Sequence, residues 1–78
     1  MANPEDVQRY ADAIMAMIKE DQDTGQVPRN VCSLDELDET VDVGDYYRLA
    51  RMPSGVPDAD ELRNAVNDEI GRRLAALS

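Results

Sequence analysis

Residues 33–52 read SLDELDETVDVGDYYRLARM, and the fold turns on how this stretch is divided. It opens acidic, carries a glycine in its middle and ends aromatic and basic. Ser33 and Glu36 have the spacing of a capping box, in which each side chain satisfies an amide of the other residue. Cys32 lies just before the cap and Leu37 one turn inside it, the spacing of a hydrophobic staple. Leu34, Leu37 and Val41 follow at helical intervals. Asp35 and Glu36 fall in the first turn, where the helix dipole favours negative charge. Val41, Asp42 and Val43 are poor helix formers, and Gly44 is about 1 kcal/mol worse than alanine. The spacing therefore predicts a helix over 34–52 with a kink or short turn near residues 42–44, close to Gly44. Tyr46, Leu49 and Ala50 rebuild an apolar stripe after it, and Pro53 and Gly55 end it.

Two further helices flank this unit. Asn3 is placed to cap the first, with Pro4 at its first position and Glu5 and Asp6 behind. Val7, Tyr10, Ala11, Ile14, Met17 and Ile18 share one face. The pattern fades after residue 21, and Gly25 can supply a left-handed turn. Residues 26–31 form a connector in which Pro28 biases Val27 to an extended conformation, with Val27 and Val31 turned toward the core. Residues 52–57, MPSGVP, form a linker. Asp58 and Glu61 then mark the start of a last helix whose face is Leu62, Ala65, Val66, Ile70, Leu74 and Leu77. Asp68 and Glu69 stand four residues before Arg72 and Arg73, the spacing of supporting ion pairs.

The expected fold is all-α: one domain over 1–78, with main helices at about 4–21, 34–52 and 58–76. Helices one and three pack together, with the broken helix across them. The expected core is Val7, Tyr10, Ile14, Ile18, Leu34, Leu37, Val41, Leu49, Leu62, Val66, Ile70 and Leu74. That core is thin: Val, Leu and Ile together supply 16 of 78 residues, with no Phe or Trp. A homodimer is one common way to enlarge such a core.

The net charge is −9, and it is unevenly spread. Residues 1–45 hold twelve acids and three bases, whereas residues 46–78 hold five of each. The first half repels phosphate backbones and anionic membranes and attracts basic protein surfaces. No apolar run approaches the roughly 20 residues of a membrane span. MANPEDVQRY has neither a basic leader nor an apolar core, so no secretion signal is expected. A single cysteine suits a reducing compartment, and a cytoplasmic location follows as the expectation.

The usual chemistries fit poorly. Asp21, Asp23 and Gly25 resemble the start of a calcium loop, but Gly25, Gln26 and Cys32 occupy the places that need oxygen, glycine and glutamate. With no histidine and one cysteine, no zinc site is expected. Cys32 has no histidine to activate it, and Asp35 and Glu36 oppose its ionisation. Paired carboxylates need distinct, partly buried surroundings for acid–base work, and a chain this small has little room for them. No catalytic residue, metal or cofactor is therefore assigned, and the chain is not expected to be an enzyme.

Residues 33–51 are loosely similar to a helix-turn-helix. With Val43 at the apolar turn position, however, Asp38, Asp42 and Arg48 replace the small, glycine and apolar residues the motif wants, and six acids would face the phosphates. Direct DNA binding through the late arginines, as a degenerate helix-turn-helix, is thus a secondary expectation. The preferred one is a non-enzymatic protein-binding module that docks on a basic partner surface. Its site would be Asp35, Glu36, Asp38, Glu39, Asp42 and Asp45, with Tyr46 and Tyr47 as interface anchors or, as the plainer reading, partly buried rim residues. Adjacent helical residues point about 100° apart, so the two tyrosines are not expected to be buried centrally together. A DNA mimic, inhibiting a nucleic-acid-binding protein, is the alternative form of the same idea. Its bland counterpart is a solvated acidic face that keeps a small protein in solution.

Seven arginines to one lysine, with abundant Asp, Ala and Val, indicate a GC-rich genome. With the run QDTGQVPRNVCSLDELDETVDVGDYYRLARMPSG (residues 22–55), this usage resembles small uncharacterised acidic helical proteins of actinobacteria and their phages. The resemblance covers the middle of the chain and carries no site or activity with it. It implies a small accessory protein acting by binding a host or viral protein.

Overall fold

The computed structural model describes residues 3–77, and the side chains of residues 3–76. Among them are four helices and no strand: α1 (Pro4–Asp23), α2 (Leu34–Thr40), α3 (Val43–Leu49) and α4 (Ala59–Leu77). The all-α expectation holds. The middle helix, expected as one broken element, is two separate ones.

Helix α1 starts as its sequence dictates. The Asn3 side-chain oxygen accepts from the Glu5 amide at 2.9 Å, and Pro4 occupies the first turn. Val7, Ala11, Ile14 and Ile18 form its buried stripe. At its other end Gly25 adopts φ 86°, the left-handed conformation that needs no Cβ. The Gln26 amide then donates to the Asp21 carbonyl at 2.8 Å and the Gly25 amide to Gln22 at 3.2 Å, a Schellman closure. The connector folds inward from there, and Val27 and Val31 are both buried, as expected of its two valines.

The break between α2 and α3 falls at Val41 and Asp42, at the leading end of the expected 42–44 and before Gly44 itself. Both take extended backbone angles. The cause is a cap. Asp42 accepts from the Gly44 amide at 2.9 Å and so begins α3, which places Gly44 inside the first helical turn. A capping aspartate, rather than the glycine's low helix propensity, sets the boundary.

Helix α3 closes with a second Schellman arrangement. The Met52 amide donates to the Tyr47 carbonyl at 3.1 Å and the Arg51 amide to Arg48 at 3.0 Å. Here the left-handed residue is Arg51, at φ 59°, where glycine is the usual occupant. The chain thus stops α3 before Pro53 and Gly55, earlier than its sequence suggests. An Arg51→Gly variant removes the Cβ crowding and is expected to gain about 1 kcal/mol. That gain raises the melting temperature by about 4–8 °C in a domain this size. Thermal melts of the two proteins check it, and an unchanged or lower melting temperature contradicts it.

The largest interface joins α1 and α4, with α2 lying against α4 and α3 against α1. Ile14, Ile18, Leu37, Val66, Ile70 and Leu74 are fully buried in one cluster. Tyr10, Leu34, Val41 and Leu62, expected in the core, are half-buried at its edge. Leu49 is a correction, being 70% exposed. The buried stripe of α3 is instead Tyr46 and Tyr47, flanked by Val43 and Ala50. At 3.6 residues per turn, Leu49 falls about 110° from the middle of that stripe. Leu77, assigned to the inner face of α4, lies outside the described side chains.

Polar contacts clamp α1 to α4. The Arg73 guanidinium, only 26% exposed, reaches Asp12 at 2.6 Å, Gln8 at 2.5 Å and Glu69 at 3.5 Å. Glu69 also takes Arg72 at 2.8 Å, so Arg72 pairs three residues back and not with Asp68. Chiefly through the Arg72 hydrogen bond, Glu69 stays below the usual carboxylate range.

Candidate functional site

Each carboxylate of the expected site is exposed: Asp35, Glu36, Asp38, Glu39, Asp42 and Asp45. Helix α2 presents most of them because Leu37 fixes its rotation. Leu37 has no exposed surface and points into the core. At 100° per residue, Asp35 and Glu39 then point nearly straight outward, with Glu36 and Asp38 on the flanks. Among the described residues, Asp45 alone of the six stands in an ion pair, with Arg48. The charge of this edge is therefore largely uncompensated by neighbouring cations.

Three of the acids also do structural duty. Asp42 caps α3, and Asp38 lies 3.5 Å from the Val43 amide. Glu36 completes only half of the expected capping box: its amide donates to the Ser33 hydroxyl at 3.2 Å. Its carboxylate accepts from the Cys32 thiol at 3.2 Å instead of turning back to the Ser33 amide. That hydrogen bond, and the charge behind it, push the thiol pKa up, away from the thiolate that a nucleophile needs. Asp35 and Glu39 carry no such duty. They are like charges four residues apart on a seven-residue helix, an arrangement that opposes helix formation by about 0.2–0.5 kcal/mol.

The tyrosines behave differently from expectation. Tyr46 is 5% exposed and Tyr47 7%, so neither is a surface anchor. Their side chains diverge, and each finds its own neighbour. The Tyr46 hydroxyl donates to the Asp21 carboxylate of α1 at 2.5 Å. The Tyr47 ring lies under the Arg63 guanidinium of α4, 4.8 Å from the ring centre. Between them the two rings fix α3, and with it the acidic edge, against the α1–α4 pair. Burial raises both phenols above their ordinary pKa of 10.0; the Asp21 contact adds to this for Tyr46, whereas Arg63 opposes it for Tyr47.

The two hydroxyls are opposites. That of Tyr46 has a charged acceptor, and that of Tyr47 is buried with no protein partner. A hydrogen bond to a charged group contributes about 1.5–3 kcal/mol, and an unsatisfied buried polar group costs about 1–3. Tyr46→Phe is thus expected to lose about 1.5 kcal/mol, and Tyr47→Phe to gain about 1. Urea unfolding of both variants measures this, and the reverse order contradicts the arrangement.

Among the described residues no cluster of three or more acidic or sulfur side chains is arranged to hold a metal ion. No described helix is long and apolar enough to cross a membrane. As a recognition helix, α3 would offer one exposed guanidinium, Arg48, already tied to Asp45. One feature escaped the sequence: a cavity of about 260 Å³ between α3, the linker and the first turn of α4. No local signal marks it, because its walls combine residues of α3, the linker and α4 that meet only in the fold. Among known proteins no family model, curated protein or solved structure matches this chain.

Proposed function

We propose that this chain is a non-enzymatic protein-binding module of accessory or regulatory type. It docks the carboxylates of α2 and the start of α3 on a basic surface of a partner protein. The observation that supports this is the outward acidic edge, six exposed carboxylates of which one is ion-paired among the described residues. Asp35 and Glu39 sharpen the point. They sit where one lysine would stabilise α2, yet both positions are acidic. Tyr46 and Tyr47 serve the site by holding α3 in place, not by touching the partner.

The test is affinity capture from an actinobacterial lysate with two baits. One is the native chain. The other carries Asp35→Asn, Glu36→Gln, Asp38→Asn and Glu39→Gln, which remove charge but keep shape. The native bait is expected to retain a basic protein that the neutral bait does not, with retention falling as salt rises. Identical captures by both baits would exclude the acidic edge as the contact. A duplex-DNA titration of the native chain runs alongside, and binding that persists near physiological salt would replace this reading with direct DNA recognition.

A further inference from the structure

We propose that the groove between α1, the connector and the end of α4 binds a small organic anion with an apolar body, of the medium-chain carboxylate class. The groove holds about 520 Å³, twice the hollow beside the linker and within the roughly 300–1,000 Å³ of small-molecule sites. Its α1 wall runs from Asp12 through Met15, Ala16 and Lys19 to Gln22, residues at helical spacing that share one face. At 100° per residue, that face lies about 100° round the helix from the buried stripe of Val7, Ala11, Ile14 and Ile18. Met15 falls outside the stripe for this reason. It is half-buried at the edge of the core and gives the groove an apolar surface, with Ala16 beside it and Val31 of the connector opposite.

Charge sets the sign of the occupant. Lys19, Arg29 and Arg73 line the groove against a single acid, Asp12, in a chain whose net charge is −9. Asp12 holds Arg73 at 2.6 Å, and Asp23, outside the groove, holds Arg29 at 2.9 Å. Lys19 is the cation left over, with no ion pair or hydrogen bond among the described residues. Its stem can lie along apolar surface while its ammonium meets an anionic head. Arg29 uses one N–H on Asp23 and has others to offer the same head. The acidic edge of a second copy fits less well, because the outward Asp35 and Glu39 bring charge but nothing apolar for Met15, Ala16 and Val31. None of the six carboxylates of that edge lines the groove, so the ligand and the proposed partner can be gained or lost independently.

Nuclear magnetic resonance titration of the isotope-labelled full chain with octanoate tests it, with circular dichroism as the check on folding. Saturable shifts are expected at Met15, Ala16, Lys19 and Val31, with a Kd of about 1 mM or tighter. Lengthening the chain from hexanoate to octanoate to decanoate should tighten binding about twofold to fourfold per methylene. Octanol, the body without the charge, and acetate, the charge without the body, should each bind at least about threefold more weakly. Lys19→Gln keeps most of the stem and is expected to weaken octanoate about threefold while leaving octanol unchanged. Ala16→Glu, at an exposed position of α1, puts bulk and like charge into the groove and should cost at least about tenfold with helicity unchanged. No saturable shift up to about 10 mM octanoate overturns the proposal. So do shifts spread over the whole chain, octanol binding equal to octanoate, or groove signals that move when the free chain is diluted, which would put a second copy there.

Discussion

Leu37→Asp is expected to leave the chain unfolded at 25 °C. Leu37 is completely buried and is the one fully buried side chain of α2. The substitution removes its apolar burial, worth about 1.5–3 kcal/mol. It also puts a carboxyl where the surroundings are apolar and no cation waits, a penalty of several kcal/mol even after the group takes up a proton. Glu36 and Asp38 lie on either side and make ionisation harder. A domain of this length has a total stability of about 4–12 kcal/mol, so these terms together consume most or all of it. Far-ultraviolet circular dichroism would show helix lost. A variant melting within a degree or two of its parent would show that Leu37 is not at the centre of the fold.

The second large effect is expected at Ile70. It is fully buried on α4, in the same cluster as Ile14 and Ile18 of α1, where the largest interface lies. Ile70→Ala deletes three carbons from a site with no exposed surface, a loss of about 2–5 kcal/mol that depends on how far neighbours close the gap. The melting temperature should fall by at least about 8 °C. Leu49→Ala is the matched control. It removes a similar side chain from an exposed position and should change stability by no more than about 0.5 kcal/mol. Equal losses at the two sites would mean that α3 is rotated from the position described.

Much of this architecture was legible because its signals are local. Asn3 with Pro4, Ser33 with Glu36, and Gly25 each mark a helix end through a bond to a near neighbour, and each performs that role here. Val27 and Val31 were legible for a related reason, as the two valines of an otherwise polar connector. The errors share another origin. Leu49 and the two tyrosines compete for one face of a seven-residue helix, and periodicity over two turns cannot rank them. The choice fell to α1 and α4, which supply Asp21 to one ring and Arg63 to the other. The break near 42–44 was legible from poor helix formers, but its cause, the capping by Asp42 two residues before Gly44, was not. Arg51 was invisible because a left-handed arginine leaves no mark in the sequence.

The same limits divide the candidate site. The six carboxylates were legible as surface groups, since a charge avoids apolar surroundings wherever it can. Which of them cap helices, and which face outward with nothing else to do, depends on the rotation that Leu37 sets. Asp35 and Glu39 emerge as the pair to change first. The cavity beside the linker was beyond reach, because its walls come from residues more than a dozen positions apart that meet only after folding.

The mooring of α2 through a single wholly buried residue bears on how the molecule breathes. Seven residues held by one fully buried side chain, with Leu34 at the core's edge, can detach while the long α1–α4 pair stays closed, so amide protons of α2 should swap for deuterium by a low-energy local opening and those at the middle of α4 only by global unfolding. A bound partner gripping the outward acids would slow deuteration of α2 before it slowed anything else.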